Sequence, residues 1–221
     1  MGDEAATKGK TEGGRGEARG LTLGLLGVVI FALTVPMTRL AVGPALDPQL
    51  PPLFVTAGRA ACAGLLAVLY LAATRAGRPR LRHLRGLVVC ALGTVVGFPL
   101  FLGLALRHVD AIHAAVVTGV LPLATALVAA ASFRQRPSLG FWVCAVLGAG
   151  LVIAFAAWKG GGHLSGADAL LLLAVASAAI GYVAGARLSA EIAAERVICW
   201  VLVVSLPLTV PAMLLTWPQQ T

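Results

Sequence analysis

The chain has 221 residues, of which 59% are hydrophobic and 12% charged, and its mean hydropathy is +0.92. Soluble domains are nearer half apolar and a quarter charged, so the polar groups here do not suffice to cover the apolar ones, and lipid is the expected solvent for most of the chain. A formal net charge of +8 and an isoelectric point of 10.2 invite nucleic acid as a partner; the positions of the charges argue against it.

Residues 1–19 mix glycine with charges of both signs and read as a disordered tail. Seven largely apolar runs follow, at residues 20–38, 52–73, 86–106, 111–132, 139–158, 167–186 and 197–217. Each approaches the roughly 20 residues that cross about 30 Å of hydrocarbon as a helix. The expected fold class is therefore an all-α integral membrane protein with seven transmembrane helices. The first run is longer than a signal-peptide core and is followed by Arg39 rather than a small-residue cleavage site, which makes it an uncleaved helix.

Placing the amino terminus in the cytoplasm puts thirteen of the 17 basic residues inside: Lys8, Lys10, Arg15 and Arg19 in the tail, the Arg75–Arg85 loop, and Arg134, Arg136, Arg187 and Arg196. The outer segments hold Arg39, Arg107 and Lys159, and Arg59 lies within a span. That asymmetry sets the orientation by the positive-inside rule, accounts for the basic isoelectric point without nucleic acid, and leaves a basic loop free to touch anionic headgroups. Trp158 and Trp217 fall at outer span ends and Trp142 and Trp200 near inner ones, as an aromatic belt requires. A multi-pass protein of the plasma (inner) membrane is expected.

Within the spans, three glycine pairs stand four apart: Gly20 with Gly24, Gly93 with Gly97, and Gly181 with Gly185. Such spacing lets helix backbones approach closely in lipid. Pro36, Pro99, Pro122, Pro207 and Pro211 lie inside apolar runs and are expected to kink them. Together with Thr34, Thr94, Thr118 and Thr125 these kinks suggest a polar-lined space between helices. The competing reading is that each threonine hydrogen-bonds its own helix backbone.

Arg59 lies seven residues past Pro52, about 10 Å into its span. It either faces an internal cavity, as an intramembrane charge does by default, or snorkels outward or pairs with Asp47 or Asp110. His113 is either a hydrogen-bonded boundary histidine or a proton relay. All nine carboxylates fall in tails, loops or helix ends, so no embedded acid for proton coupling is apparent. Ser165 and Asp168 stand at capping-box spacing. Cys62, Cys90, Cys144 and Cys199 lack metal or disulfide spacing. No GxSxG or Walker pattern occurs, HLSGAD at 163–168 is no catalytic triad, and neither an enzyme nor a cofactor is implied.

The order of these features resembles the EamA-type branch of the drug/metabolite transporter superfamily. FALTVPMTRLAV in the first run is similar to that family's opening helix, and Arg59 stands at its in-helix arginine. The most specific part is residues 93–153, with Ala105, Leu106, His108 and Ala111 in the family's AL-step, Leu121 to Leu123 in its Leu-x-Pro-Leu-like element, and Gly140 to Gly150 in its late glycine helix. A departure is Gln135-Arg136-Pro137, where the family has Glu-Arg-Pro or Glu-Arg-Leu, so a role for that carboxylate does not carry over.

The resemblance implies ten helices in two inverted five-helix repeats, with substrate near the midplane. Residues 20–158 would then be the first repeat and 159–221 the first two helices of a second, C-terminally truncated one. A faint internal echo agrees: LTVPMTRLAVG at 33–43 aligns with GYVAGARLSAE at 181–191, superposing Val35 on Val183, Arg39 on Arg187 and Leu40 on Leu188. The expected function is a permease that exports or exchanges a small metabolite, amino-acid-like compound or drug by alternating access. Its cavity would be lined by Thr34, Thr94, Gly97, Thr118, Pro122 and Thr125, with Arg59 and His113 as polar contributors. The rival expectation is a non-transporting fragment or assembly partner, in which a second copy, as a homo-oligomer, covers the faces left by missing helices.

Overall fold

The computed structural model describes residues 20–133, 137–159 and 165–218, the side chains of 153, 156, 157 and 159 excepted. The predicted tail 1–19 and the Gln135-Arg136 departure lie outside the described residues. Contacts divide the chain into two units, Met1–Met37 and Thr38–Thr221.

The described residues are helical, without strands. Among the described residues, six helices are long and apolar enough to cross a membrane: α1 (Gly20–Val42), α2 (Pro52–Ala73), α3 (Leu81–Ala105), α4 (Ala111–Ser132), α6 (Gly166–Ser189) and α7 (Ala194–Leu215). Helix α5 (Leu139–Lys159) has a described apolar stretch of Leu139–Val152, which is shorter. Six of the seven predicted runs are thus matched, among the described residues, by helices of spanning length, and α5 is a helix over the seventh, 139–158. The structure also lengthens several: α1 runs on past Arg39 to Val42, and α6 past Arg187 to Ser189, because a charge at a helix end disrupts hydropathy but not backbone hydrogen bonding.

In the second unit, α6 packs along α3 and α4, while α7 packs on α2 and α3. The burial pattern of α2 shows the solvent it is built for. Ala57, Ala60, Ala61, Gly64 and Ala67 recur at three- and four-residue spacing and are buried, whereas Leu65, Leu66 and Leu69 are about two-thirds exposed at 59%, 67% and 65%. Small residues inside and leucines outside is the arrangement favoured when the surroundings are as apolar as leucine and close backbone approach holds the helices together.

Two of the three predicted glycine pairs pack, between α3 and α6, while nothing described lies within 4 Å of a Cβ at Gly20 or Gly24. A Cβ at Gly93 would stand 2.4 Å from the Ser177 carbonyl oxygen and 2.8 Å from Gly181 Cα, and one at Gly97 would stand 2.9 Å from Ser177 Cβ. Only glycine permits that approach. A further core, Leu87, Cys90, Ala91, Leu188, Val197 and Val201, joins the ends of α3 and α6 to α7. The cysteines are free.

Two spans are broken near their middles. Helix α3 passes through a π-helical segment, Ala91–Gly97, before Phe98–Ala105 resumes with Pro99 in its first turn. Helix α4 divides into Ala111–Thr118 and Leu121–Ser132, the second opening with Pro122 in its first turn. A proline there supplies no donor to the turn before it, so the backbone rewinds around the gap. Pro207 and Pro211, by contrast, are accommodated inside the continuous helix α7.

Candidate functional site

A histidine and an aspartate that the sequence separates by 55 positions meet between α4 and α6. Nε2 of His113, in the first turn of α4, donates to Oδ1 of Asp168 at 2.5 Å. Both residues are buried, at 9% and 3% exposure. Oδ2 of Asp168 accepts from the Ser165 N–H and from the Ser165 hydroxyl, each at 2.8 Å, and the Asp168 N–H donates back to Ser165 Oγ at 3.3 Å. The predicted capping box is therefore present, but it does more than start a helix, because it fixes the carboxylate against the imidazole. The His113 ring lies 6.0 Å from that of Phe155 on α5.

This arrangement revises the expectation that no acid is embedded. Asp168 is at a helix end in sequence, and the packing of α4 on α6 buries it. His113 is the hydrogen-bonded histidine of the first reading, and its partner is the part that sequence reasoning missed. The available signal was a polar residue in the first turn of each of two runs, the fourth and the sixth, which alternating spans point in the same direction.

The other predicted cavity residues are placed as follows. Thr34 lies in the first unit, within α1. Thr94 and Gly97 lie in the π-helical segment, Thr118 at the end of the first half of α4, and Pro122 and Thr125 in its second half. Thr94, Thr118 and Thr125 each donate a hydroxyl proton to the carbonyl four residues back, on Cys90, Ala114 and Leu121, at 2.8 Å in each case. The local reading of these threonines holds. Of the predicted residues, Thr94 also lines an apolar groove of about 310 Å³ between α3, α6 and α7, with Tyr182, Gly185, Val201 and Leu202. Gly97 serves close helix packing. Arg59 is exposed on α2, among the described residues without a hydrogen bond or ion pair, so neither Asp47 nor Asp110 is its partner.

At the opposite end of α6 a second polar cluster forms. Arg82 Nη2 pairs with Glu191 Oε2, and His83 Nε2 meets the same oxygen at 3.0 Å. The hydrogen bond from His83, followed by the charge of Arg82, holds the Glu191 carboxyl below the usual glutamate range. A carboxyl depressed in the folded state contributes stability above its unfolded pKa of roughly 4.3 and loses it as pH falls through the lower folded value. Thermal unfolding of the detergent-solubilised protein should accordingly weaken over that acid window, and Glu191→Gln should flatten the fall; an unchanged acid limb in the variant would rule out the linkage.

The two arginines of the internal echo play matching parts. Arg39 Nη1 donates to the Leu106 carbonyl, which caps α3, and Arg187 Nη2 donates to the Ser132 carbonyl, at the end of α4, at 2.6 Å. Arg187 also lies 4.9 Å over the Phe133 ring. Each guanidinium satisfies a helix-terminal carbonyl that lacks an intrahelical donor. Leu106 precedes α4 and Ser132 ends it, so the two contacts lie at opposite ends of one span.

The EamA-like transporter family matches residues 18–156. The uncharacterised transporter YdeK of Bacillus subtilis (strain 168) is 44% identical over 188 residues, which are 85% of this chain and 64% of YdeK. The chain thus spans somewhat less than two-thirds of that relative's length. No solved structure matches. Neither the fold nor these relatives support a homo-oligomer. A family match over well over half of the chain, a relative of this identity and six apolar helices of spanning length agree on a multi-pass membrane protein, and the chain belongs to the EamA-like transporter family.

Proposed function

We propose that the chain provides the first repeat, 20–158, and the first two helices of an inverted second, 159–221, of a small-molecule permease working by alternating access. Its substrate is a metabolite, amino-acid-like compound or drug, exported or exchanged across the plasma membrane, with the amino terminus in the cytoplasm. The observation that carries this reading is the pair of broken spans. Non-α backbone at membrane depth persists where protein buries it or where it lines a water-filled cavity, and discontinuous helices near the midplane form the binding sites of inverted-repeat transporters. Both breaks, at Ala91–Gly97 and between Thr118 and Leu121, belong to helices that pack on α6.

The contacts of Arg39 and Arg187 at opposite ends of α4 support the inverted relation and a seventh span in α5, which α6 needs to enter from the other side. Within the second unit Thr94, Gly97, Thr118, Pro122 and Thr125 remain the proposed lining, with threonine carbonyl partners and the freed backbone as polar surface rather than the hydroxyl protons themselves. Arg59 and His113 contribute from the end where α2 and α4 begin.

Reconstitution into liposomes with a panel of labelled amino acids and small metabolites tests the reading. Efflux or uptake of at least one compound above protein-free liposomes is expected. Silence across the panel, while a protein of YdeK's full length transports under the same conditions, would overturn transport by this polypeptide and favour an assembly role.

A further inference from the structure

The end of the molecule that carries Glu191 holds a basic pocket of about 560 Å³, open to its surroundings and lined by Arg78, Arg80, Arg82, His83, Glu191 and Arg196 among others. Four guanidiniums face one carboxylate, and that carboxylate is already engaged by Arg82 and His83. Neither Arg78, Arg80 nor Arg196 has a side-chain partner among the described residues. Trp200, an aromatic of the kind that settles at headgroup level, forms part of the wall.

A second observation points to a ligand. The His83 side chain is nine-tenths buried and lines this pocket as well as an adjoining one of about 350 Å³ that includes Arg82, Arg85 and Arg187. Its Nδ1 is buried and makes no hydrogen bond among the described residues. Nε2 is taken up by Glu191 and by the Arg82 Nε–H at 3.1 Å, so Nδ1 is the ring nitrogen left without a partner. Buried polar atoms without partners are uncommon and call for a bound group or water.

The geometry points to a site for a phosphate-bearing anion, supplied by the headgroup of an anionic phospholipid. Arginine forks match phosphate oxygens, bidentately where geometry allows. Basic pockets between transmembrane helices at the cytoplasmic surface select anionic headgroups. The lipid source is favoured over free phosphate because the pocket continues into apolar wall at Ile192, Ala193 and Trp200, where an acyl chain begins. Bound there, the lipid ties the Arg75–Arg85 loop to the turn between α6 and α7. The site is independent of any transported substrate.

Native mass spectrometry of the detergent-purified chain, offered equimolar phosphatidylglycerol and phosphatidylcholine, tests it. Retention of phosphatidylglycerol at least tenfold above phosphatidylcholine is expected, falling at least fivefold in the R78Q/R80Q/R196Q variant with helix content unchanged by circular dichroism. K8Q/K10Q/R15Q removes the same charge from the tail and is expected to retain the lipid. An equal fall in both variants means diffuse surface attraction and overturns the site, as does equal retention of the two lipids. Inorganic phosphate is the separating arm: protection of the pocket by phosphate alone, with no phosphatidylglycerol retained, overturns the lipid assignment.

Discussion

Asp168→Ala should lower the unfolding free energy by about 2–4 kcal/mol, measured by reversible denaturation of the purified protein in mixed micelles. Two contributions enter. Loss of the N3 half of the capping box leaves the Ser165 N–H and hydroxyl without their acceptor, a helix-start contact of the kind that costs about 0.5–2 kcal/mol to remove. Loss of the hydrogen bond to His113 costs less than the roughly 3–5 kcal/mol seen when one partner of a buried soluble pair is removed, because chains unfolded within the membrane find other partners, and interhelical bonds there average about 0.6 with a maximum near 1.7 kcal/mol. The burial of both residues and the 2.5 Å contact place this pair toward the upper end of that range. His113→Ala should therefore cost about 1–2 kcal/mol, and the double variant should fall short of the sum by about 1 kcal/mol. Additivity within about 0.5 kcal/mol would mean that the contact carries no coupling, and Asp168 would then be a cap alone.

Gly93→Ala should destabilise by about 1–3 kcal/mol or more, the range for forcing atoms into a filled site. The new methyl meets backbone, the Ser177 carbonyl oxygen at 2.4 Å and Gly181 Cα at 2.8 Å, and backbone within a packed helix has no rotamer to change. Gly181→Ala meets Thr94 Cγ2 at 2.7 Å and the Thr94 nitrogen at 3.0 Å and should behave alike. Gly150→Ala on α5 is the comparison, since nothing described lies within 4 Å of its added carbon, and there the better helix propensity of alanine makes a change near zero or a gain of up to about 1 kcal/mol the expected result. If Gly93→Ala and Gly150→Ala unfold together, α3 and α6 do not approach as closely as their glycines allow. Because α6 also carries Asp168, loss of this packing should loosen the histidine contact, and the two sets of variants should not be additive.

Much of the molecule is legible without its fold. Span positions follow from hydropathy because the transfer of a helix into lipid depends on the residues it contains and little on its neighbours. The glycine pairs at 93/97 and 181/185 announce close packing for the same reason: absence of a side chain is visible in sequence. Ser165 and Asp168 are readable as a cap because both partners lie within one turn. What escapes is rotation. Periodicity places Arg59 inside a span but not on the exposed side of α2, and proline at 99 and 122 promises kinks without indicating that one becomes a π-helical segment and the other a break.

The sequence by itself determined the solvent, the approximate spans, the distribution of charge and the family resemblance, since each is a sum over local residues. The tertiary structure alone decided that His113 meets Asp168, that His83 and Arg82 share Glu191, and that Arg39 and Arg187 cap neighbouring helices. These contacts depend on which faces of separate helices turn toward one another, and that orientation is set by side-chain fit across all of the packed surfaces at once, for which no stretch of one helix carries the information.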